Sequence, residues 1–481
     1  MTERVGAPGQ AKQPQPKRQP LRKAIVDALI PDFLEDRDEE VVYPPDPLDE
    51  RDHMPPVATA HTVKRIPGAD VKKNTLEVLL FRGLATPMTF LIAVLQSRVL
   101  EASGRGAFVL TVLTVTIFSR FLGDLGTATT NQISAAVEEL GAATAGALRL
   151  SVAFGLVCSL VIATVGSRAG DIGTELAIFA AIALTPSLIT RTLSGVLLGT
   201  ANIRLWNWLQ VLPTVVGFVG FLVLCVVFHY GVRGAVIAWT LGHITTAVVG
   251  LTATHRIWVA WLMKRRPRGR ALALIRLAVT IGAANVIVLL NYRVELFILR
   301  HYRDTDEVGI YANAVTVAES LWLVTTALAT AVLAPTIHET EERAAALVAR
   351  SAAKALVYIS APALVLFLLA PWLLPLIFGD EFEDSAAPAR VLVPGIVLYG
   401  PVAILTIYIS VRKGRALLTV IGPIVSLAVT VALALALIPD HGADGAALAT
   451  TAGYVVSALV VWAIFVRLAP LGWLTVRPAR A

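Results

Sequence analysis

The chain has 481 residues, of which 56% are hydrophobic and only 16% charged, and its formal net charge is +7. That balance lies outside the range of soluble domains and excludes two or three water-soluble domains built around closed cores. Nucleic-acid binding is excluded as the meaning of the positive charge. The Lys and Arg residues gather at the edges of long apolar stretches, where such residues set topology and meet anionic phospholipid heads.

Residues 1–75 form a cytoplasmic leader rich in Pro and charge, expected to be largely disordered. Within it Leu21, Ile25, Ala28 and Leu29 recur at helical spacing ahead of Pro31, a pattern that fits either a short amphipathic helix at 21–34 lying on the membrane or on a partner, or a transient turn in the tail. No cleavable signal peptide precedes the first apolar run, so the first span is expected to act as the insertion signal.

A spanning helix needs roughly 20 mainly apolar residues, because lipid offers backbone amides no hydrogen-bond partner. Twelve segments meet that length: 76–99, 107–130, 142–166, 176–198, 205–228, 235–259, 272–299, 308–336, 352–378, 389–410, 416–438 and 443–466. From His255 to Arg276, across the junction of the sixth and seventh, Arg256, Lys264, Arg265, Arg266, Arg268, Arg270 and Arg276 appear without an acid. Lys72 and Lys73, then Arg412, Lys413 and Arg415, then Arg467, Arg477 and Arg480 fall on the same side by span count. The opposite side carries Asp304, Asp306 and Glu307, then Asp380, Glu381, Glu383 and Asp384, then Asp440 and Asp444. Basic connections stay in the cytoplasm, which places both termini there. Cys158 and Cys225 lie inside spans and read as small packing residues, and no His/Cys group has metal-ligand spacing.

The chain repeats itself. The segments beginning at Gly231 and Gly442 both obey G-x-x-G-A-x-x-A-x-x-x-G, at the entrances to the sixth and twelfth spans. Gly106 and Gly309 open spans two and eight, and Arg204 and Arg415 stand at the starts of five and eleven, at nearly the same offset. Six spans separate each pair, an even number, so the halves are parallel repeats related by an axis along the membrane normal. The expected fold is therefore an all-α polytopic membrane protein of two six-helix lobes, residues 76–260 and 272–467. A basic linker, 261–271, joins them, and a cytoplasmic tail, 468–481, follows.

An ionisable group in hydrocarbon costs roughly 2.5–3.5 kcal/mol even on the gentlest scale, so each intramembrane charge needs a reason. Span one carries Arg82, Thr86, Thr89 and Gln96 on one face. Span two carries Thr116, Arg120, Asp124, Thr127 and Asn131. Span four offers Ser187, Arg191 and Ser194, span seven Arg293 and Glu295, and span eight Asn313 and Glu319. Arg120 and Asp124 are four apart and can neutralise one another, whereas Arg293 and Glu295 are two apart and point to different sides. Glu319 has no basic residue one turn away. Arg98, Arg204 and Arg300 sit at span ends, where their heads reach water. A cavity lined by arginines suits an anion with phosphate oxygens, because the guanidinium fork matches that geometry and stays charged. Arg82, Arg120, Arg191, Arg293, Gln96 and Asn313 are the expected substrate contacts. Glu319, Glu295 and Asp124 are the expected carriers of a coupling proton or sodium ion.

Several short motifs run in order along the membrane region: Arg98…Gly104-Arg105-Gly106-Ala107-Phe108, Gly123-Asp124-Leu125-Gly126, and Arg293-Val294-Glu295 followed by Val308-Gly309-Ile310-Tyr311-Ala312. Leu333-Ala334-Pro335, Phe378-Gly379-Asp380-Glu381-Phe382 and Leu437-Ile438-Pro439…Gly442-Ala443-Asp444-Gly445 follow. In these the chain resembles the polysaccharide-flippase branch of the multidrug/oligosaccharidyl-lipid/polysaccharide exporter (MOP) superfamily. The resemblance implies a MATE-like alternating-access fold and no enzymatic step. It also implies a bacterial inner-membrane location and undecaprenyl-pyrophosphate-linked oligosaccharide as cargo for surface polysaccharide. The long charged leader is not a general feature of the family and the resemblance says nothing of its role; read by itself it is a candidate docking arm for polysaccharide-assembly proteins. The rivals are a drug or cation antiporter of the same superfamily, a lipid II flippase and a membrane scaffold. A polymerase or ligase would need a large outer loop, and the outer connections are short. Relatives usually carry Asp where Glu295 stands, and the chain shows no thirteenth and fourteenth spans, which counts against the lipid II branch.

Overall fold

The computed structural model describes residues 71–123, 125–126, 128–129, 140–169, 173–200, 202–262 and 268–470. The candidate helix at 21–34, Asp124 and Asn131 lie outside the described residues, as does the side chain of Arg82. Among the described residues every regular element is helical.

In chain order these are α1 (Val71–Gly123), α2 (Leu140–Ala169), α3 (Thr174–Gly199), α4 (Ile203–Phe221), α5 (Gly231–Trp258) and α6 (Arg268–Tyr302). Then come α7 (Thr305–Ser320), α8 (Trp322–His338), α9 (Glu341–Phe378), α10 (Ala386–Tyr399), α11 (Val402–Ile407) and α12 (Ile421–Leu468). Short π-helical stretches, Leu222–Val227 and Tyr408–Arg412, extend α4 and α11, and a 3-10 turn, Asp380–Ser385, links α9 to α10.

Ten helical stretches among the described residues are long and apolar enough to cross a bilayer, so the chain is a multi-pass membrane protein. Two of them hold more than one span. A straight helix of 53 residues, the length of α1, would run about 80 Å at a rise of 1.5 Å per residue, far beyond a hydrocarbon core of about 30 Å. The backbone leaves helical geometry at Glu101 in α1 and at Gly442 in α12. Those breaks divide the helices where the sequence places spans one and two, and eleven and twelve. Conversely, α7 and α8 together make the expected span 308–336, and α10 with α11 make 389–410. One expected boundary moves: α9 begins at Glu341 rather than near 352. Hydropathy misses its first turns because Glu341, Glu342 and Arg343 flank a buried strip of Ala344, Ala345, Val348 and Ala349.

Both breaks are held by acids from elsewhere in the chain. The Ala443 amide donates to Glu307 Oε1 at 2.8 Å, and the Ala102 amide to Glu381 Oε2 at 3.3 Å. Each carboxylate satisfies an amide that its restarting helix leaves unpaired. Arg98 works at the opposite pole, donating to the carbonyls of Leu376 (2.5 Å) and Ile377 (2.9 Å) at the C-terminus of α9. Gly442 has φ 51°, and a Cβ there would collide with the Glu307 carboxylate. Gly442→Ala should therefore lose the Glu307 cap and destabilise the protein by about 2 kcal/mol, from the positive φ and the lost charged hydrogen bond together. A thermal unfolding midpoint equal to the parent's would contradict this.

The sequence repeat has a physical counterpart. A Cβ on Gly106 would strike Thr305 O and Gly309 N, and a Cβ on Gly309 would strike Ala102 O and Gly106 N. Ala102 and Thr305 stand one helical turn before the two glycines, so the contacts mirror each other. A twofold axis passing between α1 and α7 produces that reciprocity. Glycine allows the two backbones to touch where any side chain would hold them apart. A second close approach, Gly282 of α6 against the backbone of Phe121, joins α6 to the C-terminal end of α1.

Candidate functional site

Among the described residues the two buried charged side chains, Glu295 and Arg105, each belong to a cluster of polar groups. In the first, α6 supplies Arg293 and Glu295, α7 supplies Glu319 and Tyr311, and α12 supplies Thr450. Arg293 donates from both terminal nitrogens to Glu319, Nη1 to Oε1 and Nη2 to Oε2, each at 2.6 Å. The pair is largely shielded, the side chains being 27% and 18% exposed. This corrects the expectation from local spacing that Glu319 stands without a basic neighbour: its partner comes from the preceding span. Arg293 and Glu295 do not pair with each other. Glu295 accepts from the Tyr311 hydroxyl at 3.3 Å, and that hydroxyl lies 3.1 Å from Thr450 Oγ1.

Glu295 is 0% exposed, and its second oxygen, Oε2, has no hydrogen-bond partner among the described residues. One turn earlier on the same helix face, both amide atoms of buried Asn291 are likewise unsatisfied. Unpaired polar atoms in hydrocarbon are costly, so a fully buried carboxylate beside an idle amide has the chemistry to hold a proton or a small cation.

An aromatic wall closes the cluster. Tyr399 and Tyr454 stack with centroids 4.9 Å apart, and Tyr292 lies edge-on to both and to Trp322. The Tyr292 and Tyr399 hydroxyls are 3.0 Å apart, and Trp322 Nε1 donates to Ile396 O at 3.0 Å. These rings exclude water and thereby strengthen the ion pair beside them. Sequence reasoning missed Asn291 and the four rings. Asn291 alone leaves a trace, four residues before Glu295, whereas aromatic residues in an apolar span look like ordinary packing.

The second cluster lies beside the Gly106–Gly309 contact. Arg105 is 6% exposed and donates from Nη1 to Gln96 Oε1 at 2.5 Å and from Nε to Asn313 Oδ1 at 3.3 Å. Asn313, fully buried, donates from Nδ2 to Ser97 Oγ at 2.8 Å. Gln96 and Asn313, expected as substrate contacts, are thus brought together from two halves of the chain by an arginine that sequence reasoning used only as a motif carrier.

The remaining expected residues are more dispersed. Arg120 is exposed on α1, and no described hydrogen bond or ion pair ties it to Arg293 or Asn313. Arg191 is half-buried on α3, close enough to His243 of α5 for their charges to interact, and its carbonyl packs against Gly126. Two hollows among the described residues, of about 360 and 670 Å³, have no residue of either cluster in their lining. The first is apolar, lined by Leu364, Phe367 and Val397 among others, and the second is bordered by Glu175, Phe179, Tyr230 and Arg233. Among the described residues no group of three His, Cys, Asp or Glu comes together to hold a metal ion. Cys158 and Cys225 are buried and unpaired as thiols.

Comparison with known proteins gives the following. A family profile described as "Polysaccharide biosynthesis protein" matches residues 71–341. No curated protein matches the chain. Among solved structures, the chain is similar to the lipid II flippase MurJ in an inward closed conformation, at 13% identity and a TM-score of 0.69, over 83% of this chain and 89% of that one. It is also similar to a multidrug resistance MATE family transporter of the MOP superfamily. In that protein's inward-facing conformation the identity is 18% and the TM-score 0.61, over 81% of this chain and 94% of that one. In the outward-facing conformation the TM-score is 0.56, over 82% and 93%. At these identities the likeness shows a common fold.

Proposed function

The chain belongs to the polysaccharide biosynthesis protein family, and on that premise we propose that it is a flippase for undecaprenyl-pyrophosphate-linked oligosaccharide. It carries that lipid from the cytoplasmic to the outer leaflet of the bacterial inner membrane by alternating access. Both termini lie in the cytoplasm, and the acids that cap the helix breaks, Glu307 and Glu381, face the outside.

The observation that carries this reading is the bidentate Arg293–Glu319 pair buried among aromatic rings. A guanidinium fork held in a low-dielectric site matches two phosphate oxygens as well as it matches a carboxylate. A proton arriving on Glu319 removes one partner and frees the fork for pyrophosphate. Loss of that proton restores the pair and expels the anion, so charge movement and lipid movement share one residue. Glu295, with Oε2 unsatisfied beside Asn291, is a second seat for the coupling proton or sodium ion. Arg82, Arg120 and Arg191 receive the pyrophosphate in the first half, while the polyprenyl tail stays in lipid. Anionic phospholipids meet the basic cytoplasmic connections, and assembly proteins dock on the leader.

A strain lacking the protein should accumulate the lipid-linked oligosaccharide, seen by mass spectrometry, and lose surface polymer. Arg82→Ala and Arg120→Ala should reach normal membrane abundance yet fail to restore polymer, with Arg120→Lys restoring it in part because charge survives without the planar fork. Full polymer from both alanine variants would sink the assignment of these arginines. A deletion strain without accumulated lipid would sink the flippase reading itself.

A further inference from the structure

Arg105 is a buried cation whose described partners, Gln96 Oε1 and Asn313 Oδ1, are both neutral. Arg293, which is more exposed, donates from both terminal nitrogens to one carboxylate, that of Glu319. No described carboxylate pairs with Arg105, so its charge is removed from water without an opposite charge in return. Its position gives that imbalance a use. Arg105 and Gln96 belong to α1, Asn313 belongs to α7, and the Gly106–Gly309 contact lies one residue away. Besides Arg105, the described side-chain bonds across the seam are between the Ser97 hydroxyl of α1 and the Asn313 amide of α7, at 2.8–3.0 Å, while Arg98 on the α9 carbonyls and Glu381 on the Ala102 amide tie α1 to α9 and the turn that follows it. If α1 and α7 part, Asn313 leaves with α7, and the guanidinium faces the gap with an acceptor missing.

We propose that Arg105 is a concealed anion site on the outward path, exposed when the α1–α7 seam separates, where its guanidinium trades the Asn313 and Gln96 oxygens for phosphate oxygens. Closing the seam reverses the exchange. The amide oxygens return, the phosphate loses its place, and the lipid head is released on the outer side. Gln96 and Asn313 act here as competitors of the substrate. The seam has no room for both sets of oxygens, because the backbones touch at Gly106 and Gly309. This inference rests on the flippase reading and adds to it the step at which the anion is let go.

The test uses the full chain in lipid nanodiscs, spin-labelled on the exposed pair Ser103→Cys and Asp306→Cys across the seam, with inorganic pyrophosphate as probe. Pyrophosphate should raise the population with a long label–label distance about tenfold, the worth of one charge-assisted contact. Arg105→Gln should abolish that response, and Arg105→Lys should keep part of it. Gln96→Leu removes one competing oxygen and should lower the pyrophosphate concentration at half-response several-fold. This second variant decides the matter if Arg105→Gln does not fold. An unaltered response in Arg105→Gln, no response in the parent chain, or an unchanged midpoint in Gln96→Leu would overturn the proposal. The two readings fail separately. Polymer restored in full by Arg105→Gln in the deletion strain defeats this inference alone. Polymer unaffected by deletion of the protein defeats the flippase reading while leaving the seam response intact.

Discussion

Alanine at either Gly106 or Gly309 should destabilise the closed seam by about 3 kcal/mol, the upper end of the usual cost of overpacking. The penalty is high because the atoms in the way are backbone, Thr305 O and Gly309 N on one side and Ala102 O and Gly106 N on the other. No rotamer change can relieve such a clash, so α1 and α7 must separate. The double substitution should cost scarcely more than one alone, since the first alanine already moves the helices to the distance the second requires. Thermal unfolding of the purified single and double variants measures this directly. Additive losses would mean that the two glycines do not share one contact, and the twofold relation between the halves would lose its structural support. The label pair at Ser103 and Asp306 should report a longer distance in either single variant without added ligand.

A comparable loss awaits either partner of the ion pair. Arg293→Met leaves Glu319 in a shielded site without a cation, and Glu319→Met leaves Arg293 without an anion. Each should cost about 3 kcal/mol, the range found when one member of a buried pair is removed. The double variant leaves no orphan charge and should regain most of that stability. It should nevertheless make no surface polymer, because the fork and its proton-dependent release are both gone. Unfolding midpoints of the three variants, with polymer assays beside them, separate the two effects. A stable double variant that still exports polymer would reduce the pair to a packing element and remove the observation on which the proposed mechanism stands.

Particular residues show how far the chain can be read before folding. The break at Gly442 is foreshadowed by Pro439 and by the glycine motif it shares with Gly231, and both glycines have positive φ. The break at Glu101 has no such signal: a non-glycine at φ 61° is held there by Arg98 and Glu381 contacts that only the folded molecule assembles. The acids between spans read in the sequence only as markers of sidedness, yet two of them, Glu307 and Glu381, cap helices from other parts of the chain. Gln96 and Asn313 stand out as polar residues in apolar spans. That they meet through Arg105 is not foreshadowed by the repeat, because at the Gly106–Gly309 offset their counterparts are Leu299 and Leu110.

The order of apolar segments, the alternation of charge between them and the internal repeat determined by themselves that this is a multi-pass helical membrane protein of two related halves. Each of those properties is a sum along one segment, set by the need to satisfy every backbone amide within the helix. Tertiary structure alone decided that Glu319 faces Arg293, that Glu295 accepts from Tyr311 while the buried Asn291 amide one turn earlier has no described partner, and that Arg105 is shut in at the seam. Such pairings depend on the register and rotation of one helix against another. In lipid those are fixed by the close approach of small residues such as Gly106 and Gly309, and no periodicity within a single helix encodes them.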